Sequence, residues 1–162
     1  MKLQFFFDYA CPYCYKGYQD LLNLLAITPD LEIEWIPCEA HPRPETHGLH
    51  SDYCARGMYQ AAAQGADLIK YHDIMYQACI LDHVNIEDLE VIADLVRDLI
   101  DRDAFYEALQ NGMYQDKLDA NNHKTWNTEG FPAVPSLKAE ERTLPAVPGI
   151  GLTLDQMKRF LA

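Results

Sequence analysis

The chain is short of positive charge. Of its 162 residues, 13 are Lys or Arg and 25 are Asp or Glu, a formal net charge of −12. A nucleic-acid backbone calls for clustered Lys and Arg, and an anionic membrane surface attracts the same residues, so neither partner is expected. Long apolar runs are missing as well. A membrane-crossing helix needs about 20 apolar residues in a row, and no such run occurs. The opening stretch Met1-Lys2-Leu3-Gln4-Phe5-Phe6-Phe7 meets an acid at Asp8, before it can reach the roughly 7–15 apolar residues of an export signal. These features lead to the expectation of a cytoplasmic protein, mature from its first residue. Cysteine is sparse and odd in number, at five. Small secreted disulfide frameworks are denser and even. In a reducing compartment a close cysteine pair is more often catalytic or metal-binding than structural. What is present is a chain that is 49% hydrophobic, enough for one domain with its own core.

The hydrophobic pattern changes character twice. Leu3 to Phe7 reads as a buried strand. Pro12 fits the first position of a helix, and Tyr18, Leu21, Leu22 and Leu25 follow at helical spacing until Thr28-Pro29-Asp30. Leu31 to Ile36 alternates apolar and acidic residues, a strand with one face buried. His41 to Glu45, with two prolines, reads as a linker. From Ser51 to about Trp126 the signals are helical, over 51–64, 66–81, 86–100 and 103–123, the last broken near Gly112. Ser51, Asn85 and Asp103 are the expected caps. After Gly130 come strands at Ala133–Leu137 and Glu141–Leu144. A final helix opens with Thr153 and Gln156 spaced as a capping box. No internal repeat or low-complexity stretch occurs. The order is β-α-β, a helical block, then β-β-α. This is an α/β protein whose sheet domain, 1–44 with 128–162, is interrupted by an all-helical insertion at 45–127.

Cys11-Pro12-Tyr13-Cys14 falls at the first strand-to-helix junction. Cys11 is placed at the N-cap, where free N–H groups and the positive dipole end favour an anion. A thiolate is such an anion, so the Cys11 pKa is expected to be low, which makes it both a nucleophile and a leaving group toward disulfides. Cys14, one turn further in, is positioned to attack the Cys11 sulfur and resolve a mixed disulfide. The same pair can instead be half of a zinc site or structurally silent. A zinc site needs two more ligands, and Cys38, His41, His47, His50 and Cys54 do not reproduce a ribbon or finger spacing. A separate metal-binding module using Cys38, His41, His50 and Cys54 stays open.

The strand Phe5–Asp8, the Cys-Pro-Tyr-Cys motif and the following helix resemble the thioredoxin superfamily. The long helical insertion after the second strand is similar to its DsbA-like branch, in particular the cytoplasmic FrnE-like group. Gly130-Phe131-Pro132-Ala133-Val134-Pro135 resembles that group's Gly-Ile-x-Gly-Val-Pro. Pro37-Cys38-Glu39-Ala40-His41-Pro42 resembles its Pro-Phe-x-Leu-x-Pro, with Cys38 in place of the aromatic. The resemblance implies a thioredoxin fold, no cofactor, and disulfide exchange with a protein or small-thiol substrate and a thiol-based electron donor or acceptor. It implies a cis bond before Pro135, facing the cysteines, that turns the Val134 backbone toward the disulfide, where an extended substrate pairs edge to edge. DsbA proper has His between its cysteines; this chain has Tyr13, and a Pro-Tyr pair is similar to glutaredoxins. Loss of the cationic histidine implies a pair less oxidising than DsbA's. The related 2-hydroxychromene-2-carboxylate isomerases and kappa-class glutathione transferases share the inserted helices, but they usually carry Ser at the Cys11 position and lack Cys14.

Other residues carry two readings each. Asp8 is a candidate proton acceptor for Cys14 through a water, or a strand-end turn former. Pro12 and Tyr13 are candidates for substrate contact, with Tyr13 otherwise an exposed aromatic. Tyr53, Tyr59, Tyr71 and Tyr76 either line a groove or pack helices. Met58, Met75 and Met113 read as core, and Cys79 as a buried small residue.

Overall fold

A computed structural model describes all residues, 1–162. Four strands, β1 (Lys2–Phe7), β2 (Glu32–Pro37), β3 (Ser136–Ala139) and β4 (Arg142–Leu144), form one mixed sheet in the order β2-β1-β3-β4. β1 pairs parallel with β2 and antiparallel with β3, and β3 pairs antiparallel with β4. Seven α-helices accompany the sheet: α1 (Pro12–Ile27), α2 (Asp52–Ala63), α3 (Leu68–Tyr76), α4 (Leu89–Leu95), α5 (Arg102–Gln110), α6 (Gln115–His123) and α7 (Leu154–Leu161). This is the DsbA-like thioredoxin fold. No helix is long and apolar enough to cross a membrane.

The chain forms two compact units, Met1–Cys38 with Asn121–Ala162, and Glu39–Ala120. The changeovers lie at 38/39 and 120/121, against the expected 44/45 and 127/128.

In the sheet unit, β1 is central and its aromatics are the core. Phe5, Phe6 and Phe7 are at most 1% exposed, each stabilising the fold by about 1.5–3 kcal/mol relative to an exposed side chain. Alternation sorts them. Phe5 and Phe7 stack at 5.3 Å and both meet Trp35 edge-on, at 5.8 and 6.1 Å. Tyr18 of α1 closes the cluster, 6.0 Å from Trp35. Phe6 points the other way, onto Phe131 at 4.9 Å. Two apolar faces therefore come from one short run, as a central strand requires. In the second turn of α1, Gly17 lies under Pro135: a Cβ there would come 2.8 Å from the proline Cγ. α7, opened by the expected Thr153–Gln156 capping box, packs along α1.

The helical unit is held by buried aromatics and by a buried arginine. The Tyr71 hydroxyl donates to the Cys54 carbonyl at 2.6 Å, and Tyr59 stacks on Tyr114 at 6.0 Å. Tyr53 is flanked by the Arg43 and Arg56 guanidiniums. Arg56 donates to the Leu109 and Met113 carbonyls at the end of α5, at 2.6 and 3.0 Å, placing a cation where the helix dipole is negative. Met58 and Met75 are buried, whereas Met113, expected in the core, is 47% exposed beside the Gly112 turn.

Several local expectations are corrected. Asn85 does not cap α4: its Oδ1 accepts the Glu87 N–H in a turn, and Asp88 caps the helix through the Glu90 N–H. Asp103 does not cap α5 either, because Asp101 accepts the Ala104 N–H two residues earlier. Ser51 is the N-cap of α2, but its side chain makes no cap hydrogen bond. The helix expected over 66–81 is α3 continued by a π-helical turn, Gln77–Leu81. The strand expected at Ala133–Leu137 begins only at Ser136, since Pro132 and Pro135 have no N–H for a ladder.

Gly17→Ala tests the α1–Pro135 approach. Helix propensity alone favours Ala by about 1 kcal/mol. Overpacking against a buried proline opposes it by about 1–3 kcal/mol. We expect net destabilisation, read as a lower urea midpoint; a higher midpoint would show that the contact is not tight.

Candidate active site

The junction between β1 and α1 places two sulfurs in different surroundings. After Phe7 the chain turns, with the Cys11 N–H donating to the Asp8 carbonyl at 3.1 Å, and Pro12 starts α1. Cys11 is the N-cap: its Sγ accepts the Cys14 N–H at 3.4 Å. Cys11 is half-buried and Cys14 is fully buried. The Cys14 Sγ accepts the Asp8 N–H at 3.4 Å. Both residues are thiols in this structure.

The two thiols are driven in opposite directions. The Cys11 pKa is lowered, first by the hydrogen bond from the Cys14 thiol, with help from the Cys14 and Tyr13 backbone N–H groups. Burial and the negative charge of Asp8 oppose the shift. Cys14 is pushed well above its ordinary value, first by burial, then by its hydrogen bond to Cys11 and by the charge on Cys11. Helix-end N–H groups contribute as expected from the sequence, but the largest stabiliser of the Cys11 thiolate is the neighbouring sulfur.

Pro135 and Val134 lie beside Cys11. The Val134–Pro135 peptide is cis, and the Cys11 Sγ approaches the Val134 carbonyl oxygen at 3.8 Å. Both side chains are buried, so Val134 presents its backbone here. The loop is braced by Ser136, whose hydroxyl donates to the Ala133 carbonyl at 2.8 Å and accepts the Ala146 N–H at 2.9 Å. Pro12 and Tyr13 are exposed. Gly151 approaches the Tyr13 ring, so that a Cβ on it would meet the Tyr13 Cβ at 3.2 Å. Asp8 is buried, and its Oδ1 accepts the Ala10 N–H at 2.9 Å, the geometry of a turn former. Its charge raises both thiol pKa values.

Residues 2–134 match the family of the DSBA-like thioredoxin domain. The chain belongs to that family. No curated protein matches the sequence. Among solved structures, the chain is similar to a putative protein disulfide isomerase from Nitrosomonas europaea, at TM-score 0.78 and 13% identity, covering 99% of this chain and 95% of the other. It is also similar to the cytosolic disulfide reductase DsbM from Pseudomonas aeruginosa, solved with GSH, at TM-score 0.74 and 17% identity, covering 99% and 97%. A 2-hydroxychromene-2-carboxylate isomerase aligns at TM-score 0.70 and 16% identity, covering 89% and 88%. At these identities the likeness is one of fold.

Within this DSBA-like domain, Gly17 and Ser136 were not picked out by sequence reasoning. Gly17 had a signal: a glycine inside a strongly apolar helix costs about 1 kcal/mol and so points to a close approach. Ser136 had none, since its two hydrogen bonds join segments distant in sequence from each other. The alternative metal set is not assembled in the helical unit: the His50 ring bonds the His41 carbonyl at 2.8 Å, Cys54 is buried in α2, and Cys38 belongs to the sheet unit, at the end of β2.

The ordering of the causes is testable. Cys14→Ala removes the main donor to the Cys11 sulfur and should raise the pH midpoint of Cys11 alkylation. Asp8→Asn removes the opposing charge and should lower it. Midpoints that stay put in both variants would contradict the assignment.

Proposed function

We propose that the protein is a thiol–disulfide oxidoreductase in which Cys11 is the nucleophile, Cys14 the resolving cysteine, and the Val134–Pro135 loop the substrate-orienting edge. The observation that carries this reading is the opposed character of the two thiols: one half-exposed with a lowered pKa, the other buried with a raised one. The Cys11 thiolate attacks one sulfur of a substrate disulfide. A Cys11–substrate disulfide forms and the other substrate sulfur leaves as a thiolate. Cys14 then loses its proton and attacks the Cys11 Sγ. The Cys11–Cys14 disulfide forms, the second substrate sulfur leaves, and the substrate has gained two electrons and two protons. The reverse sequence oxidises a dithiol.

Two of the causes that hold the Cys14 proton are Cys11's own charge and hydrogen bond. Both vanish once Cys11 is in a mixed disulfide. Cys14 therefore becomes easier to deprotonate when it is needed, and not before. The exposed Pro12 and Tyr13 flank the attacking sulfur and would meet the partner first. A protein or a small thiol fits this reading as substrate. A cytoplasmic location is part of it, supported by a structural neighbour described as a cytosolic disulfide reductase.

The stabilisers of the Cys11 thiolate are neutral donors, and the charged group beside it, Asp8, opposes. Stabilising the thiolate stabilises the reduced form. The pair should thus be less oxidising than one whose thiolate faces a cation. We expect a reduction potential nearer to thioredoxin's about −270 mV than to DsbA's about −120 mV; a value near the latter would contradict the electrostatic reading. Cys11→Ser should abolish exchange, while Cys14→Ser should accumulate mixed disulfides visible on non-reducing gels. Full insulin-reductase activity in Cys11→Ser would overturn the assignment.

A further inference from the structure

The loop between β2 and α2 holds a second group of chemistry-bearing side chains, all within the helical unit. His41, Glu45 and His47 each offer one ligand atom, and these atoms lie within 4.8 Å of one another. His41 Nδ1 is 2.8 Å and His47 Nε2 is 2.6 Å from the same oxygen, Glu45 Oε1. The two imidazoles meet edge to face with centroids 5.1 Å apart. Two nitrogens and a carboxylate oxygen thus converge from a run of seven residues, His41 to His47.

The backbone holds this arrangement. Pro42 and Pro44 fix φ on either side of Arg43, and the Glu45 N–H closes a turn onto the Pro42 carbonyl at 3.0 Å. That turn brings residues 41 and 45 to one side. Gly48 has φ +80°, and a Cβ there would sit 2.3 Å from the His41 ring, so only glycine lets the ring take this position. The His41 carbonyl is held by His50 Nδ1 at 2.8 Å. The segment is therefore organised before any ligand arrives, which lowers the cost of binding.

We propose that His41, Glu45 and His47 form a binding site for a divalent transition-metal ion of the zinc class. Two imidazoles and one carboxylate suit zinc and its late first-row neighbours, whereas magnesium and calcium take oxygen ligands. In a tetrahedral site with bonds of about 2.0–2.2 Å, ligand atoms sit roughly 3.3 Å apart by geometry. A modest opening of the His–Glu contacts provides that. Three protein ligands leave a fourth position for water or a small anion. The chain's net charge of −12 favours a cation. The site is independent of the thiol chemistry proposed above, and it differs from the cysteine-containing set that the sequence leaves open.

The test is a zinc titration of the full-length Cys11→Ser/Cys14→Ser protein, which removes the dithiol as a competing ligand. One zinc ion per chain should bind. On that background His47→Gln should weaken binding by about tenfold or more; His47 is largely exposed, with 76% of its side chain accessible, so folding is not at stake. Glu45→Gln should act in the same direction. Cobalt bound at the site should lack a thiolate charge-transfer band. Absence of zinc uptake, affinity unchanged by His47→Gln, or a thiolate band with cobalt would each overturn the proposal and leave the cluster as a pair of histidine–carboxylate contacts.

Discussion

The placing of the Cys14 sulfur against the Cys11 sulfur is the constraint on which the site depends. It requires one sulfur at the mouth of α1 and the other a turn inside it, buried. Bring the two one residue closer in sequence and the helix no longer points them at each other. With the spacing of two, the outer sulfur gains a donor and the inner one loses its water. The same contact therefore makes one thiol more acidic and the other less.

The rest of the sheet unit serves to hold this junction. β1 is anchored on both faces by its three phenylalanines, so the turn from Asp8 to Cys11 starts from a fixed point. α1 is held to the neighbouring strand β2 by the Trp35–Tyr18 contact. The missing side chain at Gly17 lets Pro135 settle against the helix. That brings the Val134 carbonyl within 3.8 Å of the Cys11 sulfur. Ser136 ties the same loop to Ala146, and the chain then returns past Tyr13 at Gly151. The arrangement explains how the half-buried Cys11 sulfur is kept in a defined position: its neighbours come from three separate stretches of chain, each fixed by buried contacts.

How much of this could be read in the sequence follows from the range of the interactions involved. The β1 run, the Cys11 N-cap, the break at Gly112 and the Thr153–Gln156 box are set by residues within a few positions, and each was legible. The caps expected at Asn85 and Asp103 fall at Asp88 and Asp101 for a local reason too: two acids or amides compete within three residues, and the choice between a turn and a cap depends on how the following helix packs. The late start of β3 reflects a conflict between β-favouring Val134 and two prolines that cannot join a ladder. Of the site, the placement of the cysteine pair, one at the N-cap and one buried a turn further in, is legible because spacing encodes it. The main stabiliser of Cys11 was not, since a thiol–thiol hydrogen bond depends on burial that spacing alone does not specify. The His41–Glu45–His47 cluster is not legible as a set, because Glu45 falls in a linker and its convergence with the histidines depends on the turn onto Pro42.

The central claim is that two cysteines one turn apart behave as different chemical species. It is tested most directly by brief, substoichiometric alkylation of the fully reduced protein near neutral pH, with the modified positions located by mass spectrometry. The account predicts a single adduct at Cys11, with Cys14 unlabelled alongside the buried Cys38, Cys54 and Cys79. Equal labelling of Cys11 and Cys14, or preferential labelling of Cys14, would contradict it.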